Sequence, residues 1–218
     1  MTPTAEDYLR TIFVLGEEIQ PVIAARVAEE MGVSPSTVVM TLRRLEEQGC
    51  LRVERRKEIH LTSKGKKVAE GTLRRHFLTE RLLTDVLGMD WVKAHQEAHR
   101  LEHAISAEVE ERLAELLNHP ATCPHGNPIP YSGAPQARPK QVPLHLARAG
   151  SEVILQCITE GGERDSRLLA FMQEHRLAPG TRLKIVEMAP SLGTISLRVG
   201  AGDPIILGLE AAKKIRVQ

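Results

Sequence analysis

Seven of the chain's thirteen prolines fall within residues 118–143: Pro120, Pro124, Pro128, Pro130, Pro135, Pro139 and Pro143, with Gly126 and Gly133 among them. Proline locks φ and removes a backbone donor, so neither a helix nor a central strand survives that density. The segment reads as a linker or a wrapped loop. It separates two unlike stretches. Residues 1–117 carry apolar side chains at helical spacing with one β-like interruption, whereas residues 144–218 alternate with period two. EVILQCI (152–158), TRLKIVEM (181–188), TISLRV (194–199) and PIIL (204–207) read as short strands, and Asp165–His175 as a helix ended by the Pro179-Gly180 turn. Several short strands in ~75 residues predict a small β-barrel or sandwich. The fold class is therefore mainly α with a small β domain.

Bulk composition excludes several classes. At 42% hydrophobic and 26% charged the chain can bury a core, so wholesale disorder is out. The longest apolar run is a few residues, short of the roughly 20 that a membrane helix needs. MTPTAEDYLR carries acid where a secretory signal carries base. A soluble, cytoplasmic protein with no membrane partner is expected. Three cysteines at wide spacing give no disulfide framework, and Cys50 and Cys157 read as small core residues. The formal net charge of +1 conceals an uneven distribution: Arg43 to Arg75 holds eleven Lys/Arg against five Asp/Glu, and four of the nine histidines lie between His76 and His103.

The basic stretch sits in a recognisable arrangement. Ala5–Glu18 reads as a first helix, and Val22–Met31 as a second, ended by Gly32. Ser34 is a natural N-cap and Pro35 a natural first residue for a third helix, which runs to about Gln48. A helix, a short glycine-containing turn and a second capped helix form a helix-turn-helix. Val38, Leu42 and Leu45 face inward, leaving Ser36, Thr37, Met40, Thr41, Arg43 and Arg44 outward. Leu51–Glu54 and Glu58–Thr62 alternate as a hairpin wing around Arg55-Arg56-Lys57, and Lys64, Lys66 and Lys67 follow. Phosphates are bound by cations at a module's flanks, and base edges by short polar side chains and arginine on the inserted helix. Ser34, Ser36, Thr37, Met40, Thr41, Arg43, Arg44, Arg55, Arg56 and Lys57 are thus the expected DNA contacts, with His60 a further phosphate contact. Stacking rings are nearly absent here, which favours duplex over single-stranded nucleic acid.

The histidines define a second expectation. His76 and Glu80 lie four apart on one face of a helix; His95, His99 and Glu102 are spaced four and three along another, with His103 adjacent. That second helix, over 94–117, also presents Ala98, Leu101, Ile105, Val109, Leu113 and Leu116 as a packed stripe. Imidazole with carboxylate suits borderline or hard divalent cations. The alternative reading of the same donors is a metal-dependent hydrolase, although HQEAH lacks the glutamate that follows the first histidine in the zinc-protease string. His125, in the proline-rich segment, is expected to be solvated. His119, His145 and His175 have no partner in sequence.

These residues together resemble the diphtheria-toxin-repressor family of metal-dependent transcriptional regulators, in its manganese-transport-regulator branch. The resemblance is carried by EDYL near the N-terminus, the winged helix-turn-helix, RHFLTERLLTDVLG (75–88), AHQEAHRLEH (94–103) and CPHGNPIP (123–130). It implies a DNA-binding domain over 1–65, a helical metal-binding and dimerisation domain over 66–143, and a Src-homology-3-like β-barrel over 144–218. It implies a homodimeric repressor that binds a near-palindromic double-stranded operator once Mn(II) is bound, with Fe(II) as the alternative. The primary metal site implied is Asp7, His99, Glu102 and His103, completed by Cys123. The ancillary site implied is His76, Glu80 and His95 with Asp165 from the β domain, Glu163 in reserve. Two departures stand out. Residue 99 is His where relatives tend to carry Cys or Glu, and residue 10 is Arg where some manganese-type members carry a carboxylate. The hard oxygen of Asp7 favours manganese, and Cys123 pulls toward iron or zinc.

Overall fold

The computed structural model describes residues 1–131 and 141–218. The part of the proline-rich expectation that rests on Gly133, Pro135 and Pro139 lies outside the described residues. The chain forms two compact units, Met1–His76 with Glu102–Ile105, and Phe77–Leu101 with Ser106–Gln218.

The first unit opens with α1 (Pro3–Glu18), whose N-cap Thr2 accepts from the Ala5 amide. Then come α2 (Ala24–Met31) and α3 (Pro35–Glu47). Gly32 joins them in the left-handed region at φ 64°, where a side chain would be strained. Ser34 caps α3 by accepting from the Thr37 amide at 3.2 Å. Val38, Leu42 and Leu45 of α3 are buried with Tyr8, Leu9 and Ile12 of α1 and Val27 of α2. Burying each such side chain contributes about 1.5–3 kcal/mol, so this triad fixes which face of α3 points to solvent. The wing is an antiparallel pair, β1 (Leu51–Val53) and β2 (Ile59–Leu61), in register Leu51↔Leu61. Lys57 takes a left-handed φ of 63° at its tip. Next, α4 (Ser63–Arg81) begins.

In the second unit a π-helical turn, Leu82–Val86, continues the end of α4. The expectation of one helix over 94–117 is corrected. There are two, α5 (Trp91–Leu101) and α6 (Ala107–Leu116). Ser106 starts α6 afresh, accepting from the Val109 amide, and Glu108 and Glu110 fill its first turn, where the helix dipole favours acid. The intervening Glu102–Ile105 packs with the first unit. Along the expected apolar stripe, Ala98 is buried, and Leu101, Val109 and Leu116 are exposed in the single chain.

The β domain holds β3 (Val142–Pro143), β4 (Glu152–Ile158), α7 (Glu160–Glu163), α8 (Ser166–Glu174), β5 (Arg182–Ala189), β6 (Thr194–Arg198), β7 (Ile205–Gly208), α9 (Leu209–Lys213) and β8 (Ile215–Val217). Its six strands form one antiparallel sheet in the order β3-β8-β4-β5-β6-β7. Leu155, Ile158, Leu169, Met172, Ile185, Leu197 and Val217 fill its core. The four strands expected from alternation are present within a residue or two. The two that alternation missed, β3 and β8, span two and three residues, too short for a period to register.

Candidate metal centres and nucleic-acid interface

Among the described residues, one group of potential ligands forms within the first unit and another within the second. In the first, α1 presents Glu6 and Asp7 on consecutive residues, and the break after α5 presents Glu102 and His103. One oxygen each from Asp7 and Glu102 and a ring nitrogen of His103 lie within 4.8 Å of one another. His103 Nε2 is 3.1 Å from Asp7 Oδ1 and 3.3 Å from Glu102 Oε1, and its Nδ1 is 2.9 Å from Glu6 Oε2. Glu102 Oε2 accepts from Arg10 Nη1 at 3.2 Å and is 2.6 Å from His76 Nδ1. Arg75 donates to Glu6 Oε2 at 3.2 Å and to the Glu102 carbonyl at 2.7 Å. Arg10, His76 and Glu102 are buried. A carboxylate buried in this way needs a positive partner, and Arg10 supplies one. Asp7 and His103 are partly open to solvent. The donors are oxygen-rich with one imidazole, a set that fits a hard or borderline divalent cation.

The second group lies in the other unit. Glu80 from α4, Cys123 and His125 from the proline-rich segment, and Glu163 from α7 place one donor atom each within 4.8 Å of one another, and all four are buried. His125 Nδ1 is 3.1 Å from Glu163 Oε1 and 3.5 Å from Glu80 Oε2. His95 Nδ1 is 2.8 Å from Glu80 Oε1 and 3.8 Å from Glu163 Oε2. The loop is held against β4 by its backbone: the Ile158 amide donates to the His125 carbonyl at 3.0 Å. Gly126 sits at φ 92°, and a Cβ there would fall 2.1 Å from the Gln156 carbonyl oxygen. Arg81 donates to the carbonyls of Thr122 and Cys123. Asn127 Nδ2 donates to Glu163 Oε1 at 2.6 Å and to the Ile158 carbonyl at 2.7 Å, and its amide to Cys123 Sγ. The indole of Trp91 meets the His125 ring edge-on at 4.9 Å between centroids.

The electrostatics of this second group are those of a cation site. Burial pushes the Glu163 carboxyl up, and the Glu80 charge adds to it. Burial and the Glu163 charge push the Cys123 thiol far above its ordinary range. Burial pulls the His125 imidazole down, but the charges of Glu80 and Glu163 outweigh it and hold the ring well above the usual histidine value. Nε2 of His125 and Oε2 of Glu163 are buried without a hydrogen bond. A buried polar atom left this way costs about 1–3 kcal/mol. A divalent cation among these atoms would satisfy them, and the mixed sulfur, nitrogen and oxygen donors suit a borderline one.

The sequence-based assignment of donors is therefore redistributed. Asp7, Glu102 and His103 come together as expected of the primary set. Cys123 does not join them in the first unit; it stands with Glu80, His125 and Glu163. His125 is buried rather than solvated, because the glycine turn behind it presses the loop onto β4. Asp165 is occupied elsewhere: it caps α8 by accepting from the Leu168 amide and takes Lys214 Nζ at 3.0 Å. The buried carboxylate of that region is Glu163. Of the expected ancillary set, Glu80 and His95 pair at 2.8 Å, and His76 Nδ1 is also 2.6 Å from Glu102 Oε2; His99 is exposed on α5. Sequence reasoning missed Glu6, Arg75 and Asn127. Glu6, next to Asp7 on the same helix turn, was the one with a usable signal.

The expected DNA-contacting residues lie on two elements of the first unit, α3 and the wing. Ser34, Ser36, Thr37, Met40, Arg43 and Arg44 are exposed along α3, with Thr41 half-buried beside them. Arg55, Arg56 and Lys57 are exposed at the wing tip. His60 lies 3.7 and 3.8 Å from Glu58 and Glu54. Among the described residues no helix is long and apolar enough to cross a membrane.

Comparison with known proteins gives the same order of parts. Residues 1–59 match the N-terminal DNA binding domain of the iron dependent repressors, 62–131 their metal binding and dimerisation domain, and 142–218 the FeoA domain. The iron-dependent repressor IdeR of Mycobacterium leprae is 37% identical over the whole of this chain and 98% of its own. The diphtheria toxin repressor of Corynebacterium diphtheriae is 43% identical over 60% of this chain and 58% of its own. A solved structure of a manganese-dependent transcriptional repressor in complex with manganese superposes with a TM-score of 0.87 at 31% identity, covering 98% of each chain. These relatives are regulators, so the hydrolase alternative falls, and the chain belongs to the iron-dependent repressor family of metal-dependent transcriptional regulators typified by the diphtheria toxin repressor.

Proposed function

We propose that this chain is a repressor that binds a near-palindromic operator as a homodimer when Mn(II) occupies the Asp7–Glu102–His103 cluster, with Fe(II) the second choice. The observation that carries the reading is the position of Asp7. It lies on α1, whose buried residues share one core with those of α2 and α3, and its carboxylate meets donors from a distant stretch of sequence. A divalent cation bound there supplies charge neutralisation and a fixed link between these donors. Arg10 and His76 hold one oxygen of Glu102, so its other oxygen faces His103 and Asp7. With α1 tied at one end, α3 is held in a defined attitude, and two such heads match major grooves about 34 Å apart. The metal changes affinity by favouring this arrangement over others.

The second cluster, Glu80, Cys123, His125 and Glu163 with His95 beside them, is proposed as a separate metal site. Glu163 takes the role first expected of Asp165. The preference for manganese follows from the donors of the first cluster, oxygen-rich and without a thiol. The manganese-loaded structural neighbour supports it, and the iron-dependent relatives support the alternative. The exposed apolar side chains Val86, Leu87, Leu101, Val109 and Leu116 in the second unit would be covered by a second copy of the chain. The test is operator binding at fixed salt with Mn(II), Fe(II), Zn(II), Co(II) or chelator. The reading expects tight binding with Mn(II) and none with chelator. Binding that ignores chelator overturns it.

A further inference from the structure

We infer that Met40 is the side chain of α3 that selects bases, and that it does so by packing on the C5-methyl groups of thymine. The inference rests on the DNA-binding reading above and concerns what that surface recognises.

Met40 is 71% exposed, against 41% for Val39, the other exposed large apolar residue of α3. It projects from the solvent face in the first half of α3, one turn beyond Ser36, and the N-terminal part of a recognition helix is what meets base edges. The core triad Val38, Leu42 and Leu45 prevents the helix from rotating Met40 inward.

The hydroxyl neighbours of Met40 are engaged with one another, and Arg43 and Arg44 lie in the second half of α3, beyond the N-terminal part that meets base edges. Ser34 Oγ is 2.8 Å from both Ser36 Oγ and Thr37 Oγ1, and it also accepts from the Thr37 amide. Thr41 Oγ1 donates its proton to the Thr37 carbonyl at 3.1 Å. To donate to a base acceptor such as N7 or O6, a hydroxyl whose one proton is already used, as that of Thr41 is, must give up the bond that back-bonds the helix. What the first two turns of α3 offer freely is apolar surface: the Met40 side chain and the threonine methyls. In the major groove only thymine presents a methyl group, and apolar side chains are its partners. A thioether has no proton to donate, so it cannot bond guanine N7 and O6 as arginine does. Its unbranched chain can settle on a methyl without a fixed hydrogen-bond geometry.

The experiment starts with selection of binders from a random duplex pool by the Mn(II)-loaded full chain. Each selected thymine is then replaced by deoxyuridine, which deletes the methyl and keeps the pairing. At the thymines under α3 the substitution is expected to weaken binding about fourfold per methyl, the effect of one buried methyl group. Met40→Ala, a surface change, should lower affinity for the thymine duplex and remove the deoxyuridine penalty. Met40→Gln should shift preference toward adenine, whose N6 and N7 pair with a side-chain amide. A duplex that tolerates deoxyuridine throughout, or a penalty that persists in Met40→Ala, would overturn the inference. If no duplex is selected at all, the DNA-binding reading fails and this one with it.

Discussion

The donor cluster around Asp7 and the one around Cys123 draw on similar residue types and differ in what accompanies them. Around Asp7, Glu102 bonds Arg10 and Glu6 bonds Arg75, so two guanidinium groups already balance two of the carboxylates. Around Cys123, the buried carboxylates of Glu80 and Glu163 face the imidazoles of His95 and His125 instead. The first cluster carries its own counter-charges in Arg10 and Arg75 and keeps Asp7 and His103 partly open to solvent. The second is strained by desolvation when it holds no cation. On the proposed reading, the difference points to the compensated, accessible cluster as the one that would report a changing metal concentration. The buried one is suited to holding its ion.

Substitutions separate the two clusters, beginning with the largest expected effect. Glu102→Ala leaves Arg10 buried without its carboxylate and should cost about 3–5 kcal/mol of metal-free stability in urea unfolding. Glu163→Ala removes one of two facing buried carboxylates and should cost under about 1 kcal/mol under chelator. Equal losses in the two variants would erase the distinction. Asn127→Ala comes next. It removes the amide that orients Glu163, and should weaken metal retention by the second cluster by about 10–100-fold in competition with a chelator, as loss of an outer partner does. An unchanged affinity would mean that Glu163 is not a ligand.

The smallest effect belongs to Asp165→Ala. Losing the cap of α8 should lower stability by about 1 kcal/mol and leave metal affinity untouched. A loss of bound metal in that variant would restore Asp165 to the site and displace Glu163.

How legible these sites were in the sequence follows from how local their signals are. Ser34-Pro35 and Gly32 define α3 through effects confined to a few residues, and the alternation of EVILQCI defines β4 to the residue. The break at Glu102–Ile105 was also written locally, in Ser106 followed by Glu108 and Glu110, but the apolar pattern running through it masked the cap. His125 and Glu163 could not be found that way. A histidine between prolines and glycine reads as solvated until Gly126 is seen pressed against Gln156, and that approach depends on chain folded from far along the sequence. Asp165 and Glu163 are two residues apart, and only the place of Lys214 decides which of them remains available.

The most direct test of the central claim is the operator affinity of Asp7→Ala beside the unaltered chain, each with Mn(II) and with chelator at one salt concentration. The account predicts that the unaltered chain binds only with Mn(II) and that Asp7→Ala, folded and still holding metal at the second cluster, loses at least about 100-fold of that affinity, or roughly 2.7 kcal/mol. Mn(II)-dependent binding that survives in Asp7→Ala would contradict it.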